Sequence, residues 1–103
     1  MDKQLVQTMC QLKEAGAPFA LATIVSTQGS TPRKAGAAMV VERSGKIWGT
    51  IGGGCGEAEV RQKALTAMDE GVSCLCKVNM LNDVAAQEGM VCGGIMEVFI
   101  QVM

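Results

Sequence analysis

Three consecutive glycines, inside the run Ile51-Gly52-Gly53-Gly54-Cys55-Gly56-Glu57, constrain this chain more than any other feature. Neither a helix nor a strand holds such a run comfortably, because glycine loses the most backbone freedom on ordering and packs no side chain. The run therefore marks a connection, and the segments on either side must be separate elements. Two other stretches, Gln28–Gly36 and Gly89–Gly94, are punctuated in a similar way. The chain thus reads as regular elements joined by three glycine-rich loops.

Those elements follow from periodicity. Asp2 is placed to cap a helix running to about Ala15, with Leu5, Met9, Leu12 and Ala15 on one stripe. Gly16 and Pro18 stop it. Phe19–Ser26 is apolar and β-branched, as a buried strand requires, and Ala37–Glu42 and Lys46–Ile51 flank the hairpin signal Ser44-Gly45. From Glu57 to Glu70, Val60, Ala64, Ala67 and Met68 form one helical face, which Gly71 ends. Val72–Leu81 is a further strand region, and Asn82 or Asp83 opens one short helical turn. Ile95–Val102 alternates, with Met96, Val98, Ile100 and Val102 on one side and Glu97, Phe99 and Gln101 on the other. The expectation is an α+β fold: a mostly antiparallel or mixed sheet of about five strands with two helices packed on it. At 103 residues this is a single domain, 1–103, with no visible repeat or linker.

Composition removes several function classes. A net charge of -1 gives no basic surface for phosphate tracking, and Phe19, Trp48 and Phe99 are too few for a base-stacking platform, so nucleic acid is not an expected partner. No run approaches the ~20 apolar residues that cross a bilayer, and no secretory leader opens the sequence. The five cysteines, Cys10, Cys55, Cys74, Cys76 and Cys92, are an odd number in a core-forming chain, which points to free thiols in the cytoplasm. Histidine is absent, which removes Ser-His and Cys-His pairs and imidazole metal sites together. Chemistry must come from thiols, carboxylates, lysine, arginine or backbone amides.

The three loops carry those groups unequally. Gln28–Gly36 holds Ser30, Thr31, Arg33 and Lys34, stiffened by Pro32; it is either an anion grip or a solvated turn. In Gly52–Glu57, glycines beside a helix start allow amides to approach an anion, and the same field lowers the pKa of a thiol at Cys55. The run lacks the Gly-Lys-Ser/Thr of a Walker A loop and has Glu57 where the dinucleotide fingerprint wants its last glycine. The alternative is a tight turn with Cys55 packed inside. Three glycines cost more entropy than such a turn needs, which favours function. Glu57 caps the helix or supports a ligand. Gly89–Gly94 again sets a cysteine, Cys92, beside glycines, and it joins the second loop if the two converge at one end of the sheet. Cys74 and Cys76 share one strand face and lack the second half of a zinc site, so core packing is expected of them and of Cys10. The methionines fill core gaps.

With the loops laid out, the sequence resembles the XdhC/CoxI family. The resemblance is carried by Ala22-Thr23-Ile24-Val25 leading to Gly29-Ser30-Thr31-Pro32-Arg33, and then by Gly36-Ala37-Ala38-Met39. Gly49-Thr50-Ile51-Gly52-Gly53-Gly54-Cys55 with Glu57, and late Cys92-Gly93-Gly94, complete the order over almost the whole chain. The resemblance implies an accessory factor for molybdenum hydroxylases such as xanthine dehydrogenase. Such a factor binds the molybdenum cofactor (molybdopterin) as cargo, aids its sulfuration and hands it to the apoenzyme. It implies Cys55 as the contact to the metal or its sulfur and Cys92, with Gly93, as a second contact. Ser30, Arg33, Glu57 and the amides of Gly52, Gly53 and Gly54 complete the cofactor-binding set. Further implied partners are a cysteine desulfurase and a separate Rossmann-domain subunit, because the C-terminal Rossmann-like domain usual in the family is absent from residues 1–103. Gly56 replaces an aliphatic residue common in the family, so the loop is expected to be more flexible and the thiol less shielded. Two other readings stay open: a sulfur-transfer enzyme using Cys55, and a structural subunit of a larger accessory complex. Exposed sheet edges also leave a homodimer open.

Overall fold

The Asp2 carboxylate accepts from the Gln4 amide at 3.0 Å and starts helix α1, Lys3–Glu14. A computed structural model describes residues 2–31, 33–80 and 94–103, and of Cys55 the backbone alone. After α1 come β1 (Phe19–Gln28), β2 (Ala38–Glu42), β3 (Ile47–Gly49), α2 (Gly54–Glu70), β4 (Cys74–Asn79) and β5 (Ile95–Val102). The strands form one sheet in the order β3-β2-β1-β5-β4, and every neighbouring pair is antiparallel. The fold is the expected α+β, with the sheet wholly antiparallel.

One helix packs on each face. The α2 face holds the larger core, where Val60, Ala64, Ala67 and Met68 meet Ala22, Ile24, Met39, Val41, Val78, Met96, Val98 and Ile100. Each large side chain buried here contributes about 1.5–3 kcal/mol relative to exposure. On the other face α1 sets Leu5 against Phe19, Leu21 and Val40, with Met9, Leu12 and Trp48 half-buried around them. The β5 alternation holds: Met96, Val98 and Ile100 are buried while Glu97, Phe99 and Gln101 are half-exposed. Cys76 is buried on the α2 face, and Cys74 packs at the rim of the same core.

Several expectations change. Cys10 is exposed rather than packed. Five residues beyond Leu5 it lies about 140° around the helix, off the narrow stripe that meets the sheet. Ala15 is exposed too, because it is the C-cap beyond the last helical residue. β3 is shorter than Lys46–Ile51, and Ile51 leaves the sheet to be buried in the α2-side core. α2 begins at Gly54, so Gly56 is helical and buried. A Cβ on Gly56 would sit 3.2 Å from Met80 Cε and 3.5 Å from Met96 Cε and Val78 Cγ1. Gly56 is therefore a packing glycine that brings α2 down onto β4 and β5, and it adds no loop flexibility. The short turn at Asn82 or Asp83 lies outside the described residues.

Candidate functional site

Antiparallel pairing decides where the loops emerge. β1 ends at Gln28 opposite Ile95, the first residue of β5, and Ile95 also pairs with Asn79, the last residue of β4. On the other side β2 begins at Ala38 opposite Thr23, and β3 ends at Gly49 opposite Met39. The connections β1–β2, β3–α2 and β4–β5 thus all leave the same end of the sheet. These are the three glycine-rich loops.

The first loop folds back on its strand. The Gly36 amide donates to Ile24 O at 2.8 Å and the Ile24 amide to Ala37 O at 2.9 Å, while Thr31 Oγ1 donates to Arg33 O at 2.8 Å. Ser30 and Arg33 are exposed. The third loop meets the first at Gly94, whose added Cβ would lie 2.6 Å from each of Gln28 O, Ser30 O and Thr31 Cγ2. Gly94 O in turn accepts from the Met80 amide at 2.9 Å. Only a residue without a side chain fits between the first loop and the end of β4.

The second loop owes its shape to backbone conformation. Gly52, Gly53 and Gly54 have φ of +129°, +74° and +67°. A side-chain-bearing residue would strain at each of these positions. Gly53 is the N-cap of α2 and supplies no side-chain hydrogen bond, so no capping side chain of its own occupies the helix-start amides. Glu57 holds the loop from inside the first turn. Its Oε1 accepts from Thr50 Oγ1 at 2.7 Å and from the Ile51 amide at 3.1 Å, and Thr50 Oγ1 accepts from the Gly52 amide at 2.9 Å. Glu57 is thus engaged as a latch on the loop. Thr50 is a site residue that sequence reading missed; the available signal was a threonine two residues before the glycines and seven before a first-turn glutamate.

Of the predicted site residues, the structure therefore brings Ser30, Gly52, Gly53, Gly54, the Cys55 backbone and Glu57 to one end of the sheet. Arg33 lies at that end too, beside a cavity of about 470 Å³ on the α1 side that Thr50 also lines. Cys92 and Gly93 lie outside the described residues. Among the described residues no three His, Cys, Asp or Glu groups cluster as a metal site. Amides and a guanidinium are donors for anionic oxygens, and a first-turn thiol is a soft ligand. Amide and guanidinium donors of this kind suit an anionic ligand. Among the described side chains the buried thiol is Cys76: burial pushes its pKa up, and Lys63 beside it offsets only part of that.

A sequence profile of the XdhC and CoxI family matches residues 12–79. The chain is 45% identical over 92 residues to the uncharacterized protein YqeB of Escherichia coli (strain K12), an alignment covering 89% of this chain and 17% of that protein. It is 39% identical over 80 residues to a probable xanthine dehydrogenase subunit of Bacillus subtilis (strain 168), covering 76% of this chain and 24% of that one. The chain thus spans a quarter or less of the curated relatives it matches. Its fold matches a crystal structure of a xanthine dehydrogenase from Bacillus halodurans with a TM-score of 0.76, over 94% of this chain and 30% of that one. At 23% identity this likeness speaks to the fold alone.

Proposed function

The chain belongs to the XdhC and CoxI family, and from that membership we propose that it is an accessory protein that carries molybdenum cofactor to a xanthine dehydrogenase-type apoenzyme. The observation that supports this reading best is the second loop. Three consecutive glycines with positive φ deliver the chain to the start of α2, and Cys55 is the second residue of that helix. Backbone amides at a helix start attract anionic oxygens, and the local field favours a thiolate. In this reading the amides of Gly53 and Gly54, with Ser30 and Arg33, hold the anionic groups of the cargo; the Gly52 amide, also expected there from the sequence, is spent on Thr50 Oγ1 and shapes the loop instead. Cys55 meets the metal or its sulfur, Cys92 is a second thiol, and Glu57 keeps the loop in shape. The cargo supplies the redox chemistry only after transfer; this chain binds, orients and shields it.

Co-purification from a molybdate-replete host, followed by metal and pterin analysis, tests the reading. Cys55→Ser is expected to lose most of the bound molybdenum and pterin, and Cys74→Ser to keep them. Equal retention by both variants would refute it.

A further inference from the structure

The cavity on the α1 side of the sheet is not absorbed by the anion-binding loop, and its lining is chemically specific. Its volume of about 470 Å³ lies in the range of small-molecule sites. The floor is apolar, from Leu5, Ala38 and the half-buried Trp48. Opposite charges stand on its walls: Asp2 at the start of α1 and Arg33 from the first loop. Thr50 lines it as well and accepts from the Gly52 amide, so the cavity adjoins the glycine-rich loop directly.

Each feature narrows the ligand. The Trp48 indole is fixed, with Nε1 donating to Glu42 Oε2 and Lys46 Nζ 4.2 Å from its ring centre, so it offers a rigid aromatic surface. A simple phosphate is disfavoured by the Asp2 carboxylate, and a purely apolar guest by both charged walls. One Asp2 oxygen accepts the Gln4 amide, and a carboxylate keeps further acceptor capacity beyond such a bond. Two adjacent N–H donors on a flat ring suit that capacity, and Arg33 donors suit a ring carbonyl.

We propose that this cavity receives a flat heterocycle with a 2-amino-4-oxopyrimidine edge, the edge that pterins and guanine share, and that it seats the organic half of the cargo beside the loop. The proposal rests on the cofactor-carrier reading and assigns the ring to a different part of the molecule from the anionic and metal-bearing half. Asp2 accepts from the ring N–H and amino group, Arg33, with more donors than the anionic groups use, also donates to the carbonyl, and Trp48, with Lys46 over one face of its indole, walls the ring.

Isothermal titration of the metal-free chain with 2-amino-4-oxopteridine, guanosine monophosphate and adenosine monophosphate tests it. Asparagine caps helices as well as aspartate does, so Asp2→Asn keeps α1 while removing the carboxylate. The expected result is saturable binding of the pteridine, competition by the guanine nucleotide and not the adenine one, and at least a tenfold loss in Asp2→Asn with unchanged helicity. No saturable pteridine binding, equal binding of adenine, or an unchanged constant in Asp2→Asn would overturn it. Failure of the carrier reading is seen separately, in the molybdenum content of the co-purified protein, because this titration contains no metal.

Discussion

Replacing Gly94 by alanine isolates the contact that joins the first and third loops. The obstacle is space. The new methyl carbon would sit 2.6 Å from Gln28 O, Ser30 O and Thr31 Cγ2, each roughly 0.8–1.4 Å inside a comfortable separation. Two of the three obstructing atoms are backbone carbonyl oxygens, which cannot swing aside as a flexible side chain can. The first loop, or the start of β5, must move as a unit. Overpacking by one methyl costs about 1–3 kcal/mol, and the rigid neighbours place Gly94→Ala toward the upper part of that range.

Urea unfolding followed through Trp48, the single tryptophan, measures this directly. A loss of about 2–3 kcal/mol corresponds to a fall in Tm of roughly 8–24 °C for a domain of this size. Gly56→Ala is the internal comparison. Its nearest obstruction, at 3.2 Å, is the mobile end of Met80, and alanine is about 1 kcal/mol better than glycine inside a helix. Gly56→Ala is therefore expected within about 1 kcal/mol of the parent. If Gly94→Ala proves as stable as the parent, to within about 0.5 kcal/mol, the packing of the two loops at that point is refuted.

Two further outcomes follow from the site and the core. Glu57→Gln keeps a carbonyl oxygen able to accept from Thr50 and Ile51, so it should lose about 1 kcal/mol in urea unfolding, whereas Glu57→Ala should lose about 2 kcal/mol. Because burial raises the Cys76 pKa, the folded chain holds that proton after the unfolded chain has released it. Stability contributed by Cys76 is then intact below about pH 9 and falls as pH rises beyond it, and Cys76→Ala should flatten that alkaline slope when unfolding is measured across pH 8–10.

What the sequence revealed was local. The α2 stripe of Val60, Ala64, Ala67 and Met68 and the alternation along β5 could be read because one face of each is buried along nearly its whole length. The α1 stripe was overread. α1 covers only part of its sheet face, around Phe19, Leu21 and Val40, so Leu5 is buried while Met9 and Leu12 are half-covered and Cys10 faces out. The role of Gly56 was hidden because a glycine that permits close packing and a glycine that loosens a loop look identical in sequence. Gathering the three loops at one end also needed the pairing of β5 between β1 and β4, a long-range choice that no local pattern encodes.

The glycines of this site are there for two physically different reasons. At Gly53 a Cβ would meet nothing within 4 Å, yet φ is +74°; the demand comes from the backbone and space is plentiful. At Gly94 the demand is for space, which is full. The first kind shapes a loop that must turn sharply into α2, with its Ile51 and Gly52 amides held by Glu57 and Thr50. The second kind holds the neighbouring loops in place around that turn. An open, left-handed turn by itself would be free to rearrange, and tightly packed loops by themselves would leave no room for a guest. The open turn latched by Glu57, set beside the packed contact at Gly94, gives a rim braced from two sides. If the carrier reading holds, such a rim lowers the ordering entropy that opposes binding, because its shape is built before a ligand arrives.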